Sequence, residues 1–454
     1  MTFPATPLAG TRTAPPVAAS DQPPGVRVVL DARPLQEPDR SPLTAAYLGG
    51  LLGAFDAAPL DGESFALLLR SDLDDPTTAF NHLDVVGRRL LPPTHLLRSA
   101  ALSVDPFVLS GASLGAAWRA EAGGAAGAVY HAAGGSMPLA TGLPLVVTLL
   151  DLAPWELPRA YQRTPAARFG QRLRGRLLRD AAAIIVGTEA VAAAARRLLH
   201  LHPDRVHVVP YAPRPAFRSW PEAARAADGD AAGTRPDTAP RSPARGPAID
   251  VRAERDRLGL PERYLVYTGR YDARQDLATL LRALHLLGGA GRPADLPAAA
   301  PWPPRVLLIG SSPEDRASLA RAAARVNVGE ALAYAPRLTD DRTAALVRGA
   351  RAAILPAVSD ATGLPALEAI SCGTPVVASA VGALPEVVGA AGILVAPRDP
   401  ERLASALATA WSDDRVHDRL ARLARDRGEA NDRAWADVAL DTRRIYAAAA
   451  ARRD

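Results

Sequence analysis

The sequence contains no lysine, so all 53 of its basic residues are arginine. That absence excludes a Walker A lysine, the ATP-pairing lysine of protein kinases and a lysine Schiff base to pyridoxal phosphate. Phosphate can still be bound, by the planar fork of arginine in place of a point charge. Cysteine is nearly missing as well: Cys372 stands alone among 454 residues. One thiol excludes an intramolecular disulfide and a cysteine-rich zinc site, and it fits a reducing cytoplasm. Cys372 is expected to be a packed helix residue. The apolar runs near Leu143–Leu150 and Ala181–Val186 are too short to span a bilayer. The opening MTFPATPLAGTRTAPP lacks the charged start and apolar core of a signal peptide. Blocks of like charge are also missing, and the formal net charge is only +5. No nucleic-acid partner is therefore expected. No dehydrogenase-type GxGxxG follows a strand-like run, which argues against an NAD enzyme.

What is present is a long chain of ordinary globular composition, 48% hydrophobic and 22% charged. That length suggests two or three domains. Residues 1–24, rich in Pro, Ala and Thr, are expected to be disordered. From Val26, strand-like runs (VRVVLDARPL, SFALLLR, AVYHA, PLVVTLLD, AAIIVGT, RVHVVP) alternate with helix-like ones. The alternation predicts a parallel sheet covered on both faces over 25–215. Residues 222–247 are low-complexity and aperiodic, so 216–260 is expected to be a linker carrying an insertion. The alternation resumes at Tyr264 with YLVYTG, RVLLIG, ALAYAP, AAILPA, PVVAS and ILVAP, giving a second Rossmann-like domain over 261–430. An amphipathic helix in 431–454 is expected to pack back on the first domain.

Two segments carry chemistry. In SDATGLPALEAISCGTPVVAS (residues 359–379), a tight loop Ser359–Gly363 leads into a helix with Pro365 in its first turn. The free amides of Gly363 and Leu364 would face an anion there, and Asp360 and Glu368 would flank it. Such a site suits phosphates in the middle and hydroxyl-rich sugars at each end. In YTGRYDARQDLATLLRAL, from Tyr267, a strand ends at Gly269, and Arg270 and Arg274 follow before a helix. Two guanidiniums there can neutralise a diphosphate.

These segments resemble the retaining nucleotide-sugar glycosyltransferases of GT-B fold, the group 1 family, and in tone the bacterial mannosyltransferase-like proteins. The family signature, a carboxylate, seven residues and a glutamate, is met by Asp360 and Glu368. The match extends to Gly269-Arg270, Thr362-Gly363-Leu364, ALEAISCGTPVV, Gly382–Glu386 and, more weakly, VRVVLDARPL and PLVVTLLDLAPWELP. The resemblance implies an α/β fold of two Rossmann-like domains facing across a cleft. It implies transfer of a hexose, such as mannose, from a nucleotide-diphosphate sugar to a glycan or lipid-linked acceptor, with retention and without a metal. The sugar nucleotide would be a substrate, with no cofactor. Carried over by position, Glu368 would accept from the ribose hydroxyls and Asp360 would hold a donor-sugar hydroxyl. Gly363 and Leu364 would give amides to the diphosphate, beside Thr362, and Arg270 would neutralise the leaving β-phosphate.

The departures cluster at the reaction centre. Asp360 replaces a glutamate and reaches ~1.5 Å less, about one C–C bond. Gln275 stands where the family has lysine, with Arg274 beside it as a substitute. Leu150 precedes Asp151 where the family commonly has His-Asp, and QEPDRSPLT (36–44) replaces a glycine-rich loop. A catalytically weakened or non-catalytic relative, acting as a partner subunit, is therefore the rival reading. Asp151 has two roles open to it, at the reaction centre or capping the next segment. His131 is read as a satisfied histidine, and His200, His202 and His207 as a helix end and a strand start with no metal. The arginine-rich stretch 159–179, with Phe169, Leu173 and Leu177 as its apolar stripe, fits a solvated helix face or peripheral contact with anionic lipid at the inner face of the cell membrane.

Overall fold

The computed structural model describes residues 22–92, 105–111, 127–134, 136–218, 249–310 and 312–451. Nearly all of the 1–24 segment and the low-complexity 222–247 segment lie outside the described residues.

The strand runs are continuous in apolar residues because both faces of each sheet are covered. β1 (Arg27–Asp31), β6 (Ala183–Val186), β9 (Val306–Ile309) and β11 (Ala352–Leu355) are buried at every position. With β2 (Ser64–Arg70), β3 (Val85–Leu91), β4 (Ala128–Ala133), β5 (Leu145–Thr148) and β7 (Val206–Val208), the first lobe forms one sheet ordered β3-β2-β1-β4-β5-β6-β7. The second lobe adds β8 (Leu265–Thr268), β10 (Leu332–Ala335), β12 (Val376–Ser379) and β13 (Gly392–Val395) in the order β10-β9-β8-β11-β12-β13. Every pairing in both sheets is parallel. This is the expected pair of Rossmann-like sheets. β3 was not anticipated. It is an edge strand whose Gly87-Arg88-Arg89 breaks the apolar run, and its side chains are mostly exposed; charge on an edge blunts pairing with other chains.

Strand order reverses between β1 and β4 in the first sheet and between β8 and β11 in the second. Crevices beyond the carboxyl ends of strands at such reversals are where open α/β sheets bind ligands. The loops after β1, β4, β5, β8 and β11 carry the residues singled out from the sequence.

The helix Trp435–Ala451 packs on the first lobe, against the helix Pro42–Ala57 and β4. Its Arg443 makes a two-pronged ion pair with Glu63, Nε–Oε1 2.8 Å and Nη2–Oε2 2.6 Å, both side chains buried. The Trp435 ring lies where a Cβ on Gly50 would come within 2.3 Å, so only glycine fits at that crossing. Residues 251–257, inside the expected linker, form a helix packed on the helix Asp340–Arg348, with Glu254 accepting from Arg342 Nε at 2.9 Å. His131 is satisfied, as read: it is fully buried, Nε2 meets Thr148 Oγ1 at 2.9 Å, and Nδ1 meets the Tyr446 hydroxyl at 2.7 Å.

Burial pushes the His131 pKa down to about 3. The unfolded chain takes up this proton below its ordinary value of about 6.5, while the folded chain refuses it until much lower pH. Stability conferred by neutral His131 is thus full above about 6.5 and falls as pH drops towards 3, by about 1.4 kcal/mol per pH unit. Urea unfolding across that window should show the slope in the native protein and lose it in His131→Gln.

Candidate active site

A cavity of about 1180 Å³ lies between the lobes. Asp151, Gly269, Arg270, Arg274, Asp360, Leu364 and Glu368 all border it, with Leu150 and Gln275. Thr362 and Gly363 do not; Thr362 borders a second, smaller void at the back of the lobe junction.

Glu368 sits on the helix Leu364–Ser371 and is buried. Both its oxygens are held by the fork of Arg214, Nε–Oε1 at 2.6 Å and Nη2–Oε2 at 2.8 Å. Arg214 Nη1 also reaches Asp340 Oδ1 at 2.5 Å, and its guanidinium lies 4.7 Å over the Phe217 ring. Burial works against the Arg214 cation, but the charges and hydrogen bonds of Glu368 and Asp340 outweigh it and raise its pKa. A carboxylate has about four lone-pair sites, so each Glu368 oxygen keeps capacity for a hydroxyl donor. Arg214 escaped the sequence reading. Its signal was a lone arginine between Pro213 and Pro215, just past the last strand of the first lobe, with its nearest acidic neighbours in the chain at Asp204 and Glu222. Such a cation needs a partner distant in sequence.

The loop before that helix differs from expectation. Asp360 turns back on its own loop, and its Oδ1 accepts from the amides of Thr362 at 2.8 Å and Gly363 at 2.7 Å. The Leu364 amide faces Thr362 Oγ1 at 3.4 Å. The two amides expected to meet the diphosphate, those of Gly363 and Leu364, therefore already have acceptors within the loop. The physical reason is the short aspartate side chain, which closes an Asx turn. Its Oδ2 has no hydrogen-bond partner among the described residues. Burial raises the Asp360 pKa, against the pull of those amides and Arg274. Gly382 holds the turn from behind: at φ 53°, a Cβ there would fall 1.8 Å from the Asp360 carbonyl oxygen.

The arginines after β8 reach across the cleft. Arg270 Nη1 donates to the carbonyl of Arg40 at 2.6 Å. Arg274 binds Asp272, Nη2–Oδ2 2.6 Å, and faces Asp151 Oδ2 at 3.3 Å. Burial disfavours the Arg274 cation, but Asp272 and Asp151 more than compensate and raise its pKa. Asp151 caps the next segment, its Oδ1 accepting from the Ala153 amide at 2.8 Å, and its Oδ2 faces Arg274 at the border of the cleft. The loop 36–44 supplies a further bridge, Asp39 to Arg337 at 3.0 Å.

In the helix Pro165–Asp180 the expected stripe holds at Leu177, which is buried, and at Leu173, which is half-buried against the first-lobe core, and fails at Phe169. Gly170, Gln171, Arg174, Gly175, Leu177 and Leu178 are the buried residues, whereas Phe169 is 55% exposed among Arg168, Arg172, Arg176 and Arg179. Arg174 lies on this buried face, its guanidinium over the Trp155 ring.

Replacing Arg214 by Met leaves Glu368 buried without its cation, and loss of one partner of such a pair costs roughly 3 kcal/mol. Urea unfolding should show that loss, and Arg214→Met with Glu368→Met should recover part of it. Gly382→Ala should cost about 1–2 kcal/mol from left-handed backbone alone, with the clash added; an unchanged midpoint would show that the Asp360 turn does not depend on it.

Comparison with known proteins follows the same division. Residues 262–413 match the family model "Glycosyl transferases group 1". A D-inositol 3-phosphate glycosyltransferase of Streptomyces griseus is 33% identical over 201 residues, 43% of this chain and 42% of that protein. A glycogen synthase of Mycobacterium tuberculosis is 33% identical over 199 residues, 43% of this chain and 45% of that protein. The chain thus spans less than half the length of these curated relatives. Among solved structures, a sucrose-phosphate synthase from Thermosynechococcus elongatus superposes with TM-score 0.65 at 19% identity, over 93% of this chain and 98% of that one. Anabaena HepE in complex with UDP superposes with TM-score 0.62 at 15% identity, over 93% and 100%. Residues 262–413, which hold Arg270, Arg274, Asp340, Asp360 and Glu368, thus resemble group 1 glycosyl transferases, and the chain has the two-sheet GT-B fold.

Proposed function

We propose that the protein is a retaining, metal-independent glycosyltransferase that moves a hexose from a nucleotide-diphosphate sugar to a glycan or lipid-linked acceptor. The observation that carries this is the convergence of two carboxylates, Asp360 and Glu368, and two guanidiniums, Arg270 and Arg274, on one interlobe cavity beyond the ends of β8 and β11. Glu368, oriented by Arg214, accepts from ribose hydroxyls. Asp360 Oδ2 holds a hydroxyl of the donor sugar. Arg270 and Arg274 exchange the Arg40 carbonyl and Asp151 for diphosphate oxygens, charge-assisted bonds worth more than those they replace.

In the reaction, the bond from the anomeric carbon to the β-phosphate oxygen breaks with its electron pair going to phosphate. The acceptor oxygen bonds to the same face of that carbon, and its proton passes to the leaving phosphate. The two guanidiniums stabilise the charge that develops there, the task a metal ion performs in other transferases. HepE has been solved with UDP-glucose, and a related trehalose-phosphate synthase from Burkholderia vietnamiensis is described as UDP-forming. These favour UDP and glucose over GDP and mannose. No described helix is long and apolar enough to cross a membrane. Phe169 among exposed arginines supports peripheral contact with anionic lipid on the cytoplasmic side.

Thermal shift with UDP-, GDP-, ADP- and dTDP-sugars should single out one base, since tight binding raises the melting point by mass action. Glu368→Ala should abolish that shift; if it persists for every nucleotide sugar, Glu368 does not hold the donor. Transfer should survive a chelator, and the product's anomeric proton should show the donor's configuration. The rival reading, a weakened or non-catalytic relative, draws on Leu150, Gln275 and the short Asp360. Donor binding without transfer or donor hydrolysis by the purified protein, and activity appearing in Leu150→His, would favour it.

A further inference from the structure

Among the arginines that border the cleft, Arg174 is the buried one without a carboxylate partner among the described residues. It is 7% exposed, yet no carboxylate among the described residues lies within ion-pair distance of it. Its one hydrogen bond among the described residues is from Nη2 to the Gly134 carbonyl, long at 3.3 Å. Nε is buried with no partner among the described residues. The guanidinium lies 4.8 Å over the Trp155 ring and borders the interlobe cavity on its first-lobe side. Its pKa is lowered by burial, with only the more distant Asp151 acting against this. Burying a cation without a partner is costly, and buried charges are ordinarily paired. A buried arginine that borders a cavity with no carboxylate on it fits a planar or tetrahedral oxyanion.

We propose that Arg174, backed by Trp155, is an anion subsite on the first-lobe side of the cavity, and that it takes a phosphate or carboxylate carried by the acceptor. The word acceptor rests on the transferase reading above; the anion site itself does not. Arg270 and Arg274 lie on the opposite lobe and supply the positive charge for the donor diphosphate. Arg174 therefore gives the first lobe its own reason to choose a charged acceptor.

Trp155 beneath the guanidinium makes binding observable. Tryptophan fluorescence is titrated with inorganic phosphate, a hexose 6-phosphate, a hexuronate and the uncharged hexose, each with and without saturating UDP. Trp155→Phe identifies the part of the signal that this ring contributes, one of six tryptophans in the chain. The expected result is saturable, Trp155-dependent binding of a charged sugar that persists under UDP, and none for the uncharged hexose. Preference between the 6-phosphate and the hexuronate names the source of the oxyanion. Arg174→Met should weaken binding by about tenfold or more, the scale of a lost charge-assisted contact. If that variant does not fold, Arg174→Lys, which lacks the fork, should weaken it several-fold with the melting point kept. No saturable signal, unchanged affinity in both variants, or competitive loss under UDP overturns the proposal, the last by assigning Arg174 to the donor. UDP binding without charged-sugar binding defeats this site alone. Charged-sugar binding without any nucleotide binding defeats the transferase reading and leaves the site standing.

Discussion

A guanidinium withdrawn from water has to be given an acceptor, and that constraint organises the cleft. With no lysine in the chain, every cation here is a planar fork that calls for acceptors in a plane. Arg274 takes Asp272 and Asp151, Arg270 takes the Arg40 carbonyl, and Arg214 takes Glu368 and Asp340. These pairings decide which side chains can meet a ligand, because a phosphate or hydroxyl has to share or replace an acceptor already in place. Of the cleft arginines Arg174 is the buried one, and among the described residues it donates only to the Gly134 carbonyl, at 3.3 Å, which is why its surroundings carry an inference that the others do not.

The pairings differ in how readily they give way. Glu368 is buried and held at two points, so exchange there would strand a charge in low dielectric. The contacts of Arg270 and Arg274 across the cleft involve partly exposed groups, and pairs of that kind contribute little, about 0–1 kcal/mol. A diphosphate can thus displace them without unfolding anything. Because their partners Arg40 and Asp151 lie on the first lobe, displacement also loosens the contact between lobes. Asp39 with Arg337, and Glu386 with the amides of Glu189 and Ala190 at 3.3 and 3.1 Å, remain as further bridges.

The two sheets were legible because buried parallel strands write themselves as short, unbroken apolar runs. β3 was not, because an edge strand need not be apolar on either face. The cleft residues were legible through the loops that end β8 and β11, where sequence spacing and space coincide. Their partners were not. The Asp360 turn depends on the reach of one side chain, and the Arg214 pairing with Glu368 spans 154 positions. Arg174 was placed with its neighbours on an outward basic face, since apolar periodicity alone favoured Phe169 for the buried side. In the structure Arg174 is buried and Phe169 is exposed.

Arg214 also lies where the lobes are joined. The chain passes to the second lobe after β7 and returns before Trp435, and the two crossings touch: Arg433 Nε donates to the Pro210 carbonyl, and Arg218 Nη2 to that of Asp432, each at 2.5 Å. These contacts tie the two crossings together at one place in the lobe junction. Glu368 is tied to it through Arg214, whereas Arg270 and Arg274 meet the first lobe farther along the cleft, at loops that can part. A ligand reaching from Glu368 to Arg270 and Arg274 therefore spans a buried pair held at two points and partly exposed contacts that a phosphate can replace.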